Sequence, residues 1–168
     1  RAVVLTECCK HFTAVRGDDR EELAQVAAVE VDWEGMAGRP FLAGHAVWSF
    51  SDYATEYRRR FRGLSGLVDA WRRPKMAAEL FRARYAEAPF VSLFVTVPGP
   101  PAPPSRFRKE LPLGGGTADR GRELHVFTNC ETVRLARGGA MVALLEGAIH
   151  YVLPVGADFG EVIATGSA

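Results

Sequence analysis

The chain carries almost no excess charge of either sign. Its 168 residues hold 21 Lys+Arg against 20 Asp+Glu, a formal net charge of +1. A field that weak argues against nucleic acid or an anionic membrane surface as a partner. Long hydrophobic runs are also missing, and none approaches the length that spans a bilayer. The first residues offer one arginine, a very short apolar stretch and then Glu7, which is not the pattern of a secretory signal. The chain does not begin with methionine, which suggests a fragment or a processed chain. Cysteine is scarce: Cys8, Cys9 and Cys130 are the three. Adjacent cysteines rarely pair with each other, so no disulfide framework follows, and no C-x-x-C or Cys/His spacing predicts a metal site. Lysine is nearly absent, with 3 Lys against 18 Arg, which reads as coding bias.

What is present is 48% hydrophobic and 24% charged, the balance of a globular protein of one or two domains. Residues 2–6 (AVVLT) are apolar and β-branched without alternation, which predicts a short buried strand. A loop from Cys8 to Gly17 follows. Asp18 or Asp19 then offers a helix cap, with Glu21 and Glu22 in the first turn. Leu23, Val26 and Ala27 place apolar groups on one face of a helix running to about Trp33, broken by Gly35, Gly38 and Pro40. Phe41 to Phe50 reads as a second strand, and Ser51 to Gly66 as a polar, arginine-rich loop. Pro74 sits where a helix would begin, and Met76, Ala77, Leu80, Phe81 and Tyr85 give that helix its apolar face. Two consecutive βα units are the signature of a parallel sheet.

The pattern changes after Pro89. FVSLFVTV reads as a strand, and PGPPAPP imposes an extended segment. ELHVFTN and ETVRLAR alternate with the period of half-buried strands, and HYVLPV and GEVIATG predict two more. Short strands at this spacing predict a β-sandwich. The fold class is therefore α/β followed by all-β, with domains over residues 1–87 and 88–168.

Two stretches carry chemistry. The strand ending in Thr6-Glu7 delivers a carboxylate to its C-terminal end. The stretch GHAVWSFSDYAT (Gly44 to Thr55) delivers Trp48, then Ser49, Ser51 and Asp52. In barrels of βα units, the C-terminal strand ends hold the active site. A tryptophan there can serve as a platform for the apolar face of a sugar ring; a core tryptophan is the plainer alternative.

Taken in order, V-L-T-E, V-W-S-F-S-D-Y-A-T and G-L-V-D-x-x-R-R-P-K-x-A-A resemble the end of the catalytic barrel of glycoside hydrolase family 2, which contains β-galactosidases, β-glucuronidases and β-mannosidases. HVFTNCETVRLARGG and FGEVIATG resemble the immunoglobulin-like module that follows that barrel. The resemblance implies the last two βα units of a (β/α)8 TIM barrel, then an Ig-like β-sandwich. It implies a retaining β-glycosidase acting on a β-linked oligosaccharide or glycoside, with a β-galactoside the first candidate. Glu7 falls on the family's nucleophile, Trp48 on the tryptophan lining the floor of the sugar site, and Asp52 on the aspartate after that strand, where a hydrogen-bonding structural role competes with substrate contact.

The sequence also departs from the family. Cys8-Cys9 stand where an aromatic residue and glycine are expected after the nucleophile. Gly63-Leu64-Ser65 stand where glucuronidases have an Asn-x-Lys element, which argues against a glucuronide substrate. Arg58, Arg59, Arg60 and Arg62 crowd the same loop, as solvated arginines or as an anion contact. No residue corresponds to the family's acid/base glutamate, and a complete barrel needs about 250 residues, so the chain alone is expected to be inactive. The resemblance brings Mg2+ and Na+ into view for the whole enzyme, and an oligomer too, but assigns no cofactor ligand here. The competing readings are a non-catalytic Ig-like carbohydrate-binding or interaction module, and a small α/β domain of unrelated role.

Overall fold

The computed structural model describes residues 1–9, 14–54, 63–99, 102–110, 121–156 and 160–167. The chain forms two compact units. One comprises Arg1–Ala78 with Gly99–Ser105, the other Glu79–Pro98 with Arg106–Ala168.

The first unit is built on a strand–helix–strand crossover: β1 (Val3–Cys8), α1 (Asp19–Met36) and β2 (Leu42–Val47). The strands pair in parallel, with Leu5 opposite His45 and Cys8 opposite Val47. Asp18 caps α1, its carboxylate accepting from the backbone N–H groups of Arg20 and Glu21 at 3.1 and 3.2 Å. Asp19, Glu21 and Glu22 fill the first turn, where negative charge complements the helix dipole. Leu23, Val26, Val29 and Trp33 recur at helical spacing and are all buried. Burying such side chains stabilises by about 1.5–3 kcal/mol each. The helix outlasts the expected end by one turn. It closes where Ala37 N–H donates to the Trp33 carbonyl at 2.9 Å and Gly38 turns with φ of 71°.

One expectation is corrected here. Residues 2–6 predict a buried strand, but Val3, Val4 and Leu5 are 41%, 59% and 37% exposed. Apolar β-branched character reports that a strand is built to be covered on both faces. In a two-stranded sheet of β1 and β2 alone, each strand has an open edge and little lies over it. Among the described residues no closed barrel is present.

The helix α2 (Met76–Tyr85) follows. Its first N–H, that of Met76, is capped by the buried Glu22 carboxylate at 2.7 Å. Pro74 lies two residues before the helix and bridges Val68 instead. No helix among the described residues is long and apolar enough to cross a membrane.

The second unit holds β3 (Val91–Thr96), β4 (Arg108–Glu110), β5 (Arg122–Thr128), β6 (Thr132–Arg137), β7 (Ala140–Glu146), β8 (His150–Val155) and β9 (Val162–Ser167). They form two sheets, in the orders β3-β5-β8-β4 and β7-β6-β9. One apolar cluster draws on both sheets, with Leu124, Val126, Leu153 and Val155 from the first and Val133, Leu135 and Leu145 from the second.

Here too burial departs from the sequence pattern. Alternation predicts that β5 is half-buried, yet Leu124 to Thr128 are all buried. Leu124 and Val126 face the cluster. On the other face His125 stacks on His150 at 5.2 Å and Phe127 stacks on it at 4.4 Å, so the second face is covered as well. Asn129 ends the strand. Its side chain accepts from Phe90 N–H at 2.7 Å and donates to the carbonyls of Ala86 and Ala88 at 3.0 and 2.9 Å. Asn129→Ala removes all three bonds and leaves those backbone groups without their partner. It is expected to cost about 1–3 kcal/mol, read as a lower urea midpoint at unchanged slope.

Candidate active site

The site grows from the C-terminal ends of the two parallel strands. Glu7 lies near the end of β1 and is exposed. The next carbonyl, that of Cys8, accepts from Trp48 N–H at 3.0 Å, so the chain leaving β2 is held beside the end of β1. The two sequence-predicted residues thus come from the same ends of adjacent strands. Trp48 is half-buried, and the Trp48–Ser49 peptide is cis. Its indole N–H donates to the Tyr53 hydroxyl at 3.1 Å, and the two rings meet edge-to-face at 6.0 Å. That contact orients the indole against Tyr53.

Beyond Trp48 the chain is zipped to residues 63–68. Leu67 and Val68 donate to the carbonyls of Ser49 and Phe50, and Asp52 donates back to Val68, each at 3.0 Å. Gly66 permits this approach. A Cβ there would collide with the backbone of Ser51 and Asp52. The zipper sets the Asp52 carboxylate inward. Its Oδ1 accepts from Gly66 N–H at 2.9 Å and from Lys75 Nζ at 2.7 Å. The Lys75 side chain is wholly buried and also donates to the carbonyls of Ala14 and Leu64 at 2.6 and 3.2 Å. Three acceptors match the three protons of the ammonium. One oxygen of Asp52 is therefore committed to holding the loop.

A cavity of about 450 Å3 opens beside it, with Asp52, Tyr53, Leu64, Asp69 and Trp71 among its walls. Glu7 and Trp48 are not among them. Arg58, Arg59, Arg60 and Arg62 lie outside the described residues.

Sequence spacing missed one grouping. Donor atoms of Cys8, Cys9 and His45 all lie within 4.8 Å of one another. His45 follows Cys9 by 36 positions, and only the parallel register that sets Leu5 against His45 brings them together. Burial pushes the Cys8 thiol above its ordinary value of 9.0; a hydrogen bond from Cys9 opposes the shift and the Asp32 carboxylate adds to it. Since the thiolate is the nucleophile, the alkylation rate of Cys8 is expected to keep rising with pH beyond 9.0. Iodoacetamide labelling followed peptide by peptide tests this, and a plateau below pH 8 contradicts it.

Several solved structures resemble this chain. Over 98% of its length it matches the β-glucuronidase of Parabacteroides merdae, with a TM-score of 0.58 and 17% identity. Over 97% it matches a Bacteroides uniformis β-glucuronidase, at 0.61 and 17%. Over 96% it matches a Bacteroides fragilis protein provisionally named a β-galactosidase, at 0.61 and 20%. Its fold is that of a segment of larger glycosidases. The chain spans 24%, 21% and 25% of those three structures, respectively. No family sequence profile matches the chain, and no curated protein does.

Proposed function

We propose that this chain is the carboxy-proximal part of a retaining β-glycosidase of glycoside hydrolase family 2. In this reading residues 1–87 are the last two βα units of the catalytic barrel and residues 88–168 an immunoglobulin-like sandwich. The observation that carries it is the parallel β1–β2 pair with Glu7 and Trp48 at the same ends of adjacent strands, in a chain that fits glycosidase structures along nearly its whole length.

Glu7 is then the nucleophile, whose carboxylate attacks the anomeric carbon and forms the glycosyl-enzyme that water resolves. Trp48 is the platform for the sugar ring. Asp52 is the positioning residue that holds the loop after Trp48 through Gly66 and Lys75, rather than a direct ligand of the sugar. The acid that protonates the leaving oxygen has no counterpart here: the family sets it after an asparagine, and the lone asparagine, Asn129, precedes Cys130. General acid catalysis is worth about 10² to 10⁴ in rate, so the chain by itself is expected to turn over nothing. A β-galactoside is the preferred substrate class. That some of the matched structures are β-glucuronidases bears on the shared fold, because Gly63-Leu64-Ser65 offers no amide and ammonium pair for a sugar carboxylate.

The test is an aryl β-galactoside assay on the 168-residue chain. Release of the aryl group at the uncatalysed rate is expected. Turnover that Glu7→Gln abolishes would show that the chain carries a complete site and overturn the partial-site reading.

A further inference from the structure

The proposed hydrolysis assigns no role to Cys8, Cys9 or His45, yet their donor atoms form the group of soft ligands that the described residues bring together. Cys9 is buried and Cys8 half-buried. The two sulfurs stand 3.5 Å apart, with the Cys9 thiol directed at Cys8. The Cys8 thiol is directed at the Ala46 carbonyl at 3.3 Å. Cys9 adopts the left-handed conformation, φ 57°, a region non-glycine residues seldom visit unless their surroundings impose it. Its N–H is anchored on α1, donating to Asp32 Oδ2 at 2.6 Å. The turn after β1 therefore folds its thiol back onto the preceding one instead of letting it continue away.

We propose that Cys8, Cys9 and His45 form a binding site for a thiophilic divalent cation of the zinc class, clipping the end of β1 to β2 one residue beyond Glu7. The donor set decides the class. Two thiols and an imidazole suit zinc and are poor ligands for magnesium or calcium, which take oxygen. The geometry decides the coordination. At a Zn–S bond of about 2.3 Å, sulfurs 3.5 Å apart subtend about 100° at the metal. That is close to tetrahedral and far from the linear arrangement of a two-coordinate thiolate ion. The imidazole supplies the third ligand, and the fourth position is open to water. No two donors are more than 4.8 Å apart, so the widest pair has at most about 1.3 Å to close to reach a tetrahedral shell. The two thiol protons leave as the ion binds. A disulfide between the same residues would require the sulfurs to approach to about 2.05 Å.

Cobalt(II) added to the reduced 168-residue chain is the first probe. A sulfur-to-cobalt charge-transfer band that saturates at one equivalent and is displaced by zinc(II) is expected. Cys8→Ser and Cys9→Ser each should remove about half of that band or more. His45→Gln should keep sulfur ligation but weaken zinc affinity about 100-fold or more, beyond what outer-sphere partners cost. Cys130→Ala, which alters the third thiol, should leave the titration unchanged. X-ray absorption on the zinc-loaded native chain adds a readout that needs no variant, and two sulfurs with one or more light-atom ligands are expected. A sulfur-free shell, a band that survives both serine variants, or an affinity indifferent to His45→Gln would overturn the site. None of these outcomes depends on glycosidase activity.

Discussion

Lys75→Met is expected to destabilise the first unit by about 3–5 kcal/mol. The ammonium it removes is wholly buried and serves Ala14, Asp52 and Leu64 at once. Methionine fills much of the same volume, so little of the loss comes from packing. What remains is a buried Asp52 carboxylate without its cation, and two carbonyls without a donor. Against a typical domain stability of about 5–15 kcal/mol, that is enough to bring the midpoint close to working conditions. The control is the double variant Lys75→Met with Asp52→Asn. The amide oxygen can still accept from Gly66 N–H, and no charge is stranded. The double variant should therefore be more stable than Lys75→Met alone, a coupling of about 0.5–3 kcal/mol for residues in direct contact. Urea unfolding of the four proteins in the cycle measures it. Simple additivity of the two single changes would mean that the pair does not hold the loop.

This pair also shows where the sequence stops being legible. The helices were readable because their signals are local: Asp18 caps α1, acids fill its first turn, and Gly38 ends it with a positive φ. Strands β3, β8 and β9 announce themselves through apolar runs, and β5 and β6 through alternation. Strand β7 does not, because AMVALLE lies at the edge of its sheet with Met141, Val142 and Leu144 exposed and has neither alternation nor a β-branched run. Strand β4 is three charged or polar residues held by backbone pairing to β8, and backbone pairing has no side-chain signature. At the site, Glu7 and Trp48 were readable as residues at strand ends. Lys75 was readable only as part of a motif, since its partners lie 11, 23 and 61 positions away. The Cys8, Cys9 and His45 grouping was unreadable, because a parallel register and not a spacing creates it.

Glu7→Gln is expected to lower β-galactoside turnover by about 10⁴-fold or more when this chain is joined to the rest of a barrel, the scale on which removal of a nucleophile acts elsewhere. Glutamine keeps the size of the side chain but cannot open the covalent route, so the sugar still binds and kcat falls while KM changes little. Glu7→Gly makes the distinction sharper. It clears space at the end of β1, and a small anion such as azide can occupy it and attack the anomeric carbon from the face the carboxylate would use. With an activated aryl leaving group, which needs no acid to depart, azide should restore turnover and give a glycosyl azide of inverted configuration. A residue that merely shaped the strand end would show neither rescue nor that product. Trp48→Ala should act differently, raising KM through loss of the stacked face while azide has no effect. If Glu7→Gly is inert to azide and Glu7→Gln retains turnover, the nucleophile lies elsewhere and the carboxylate at the tip of β1 is an ordinary surface charge.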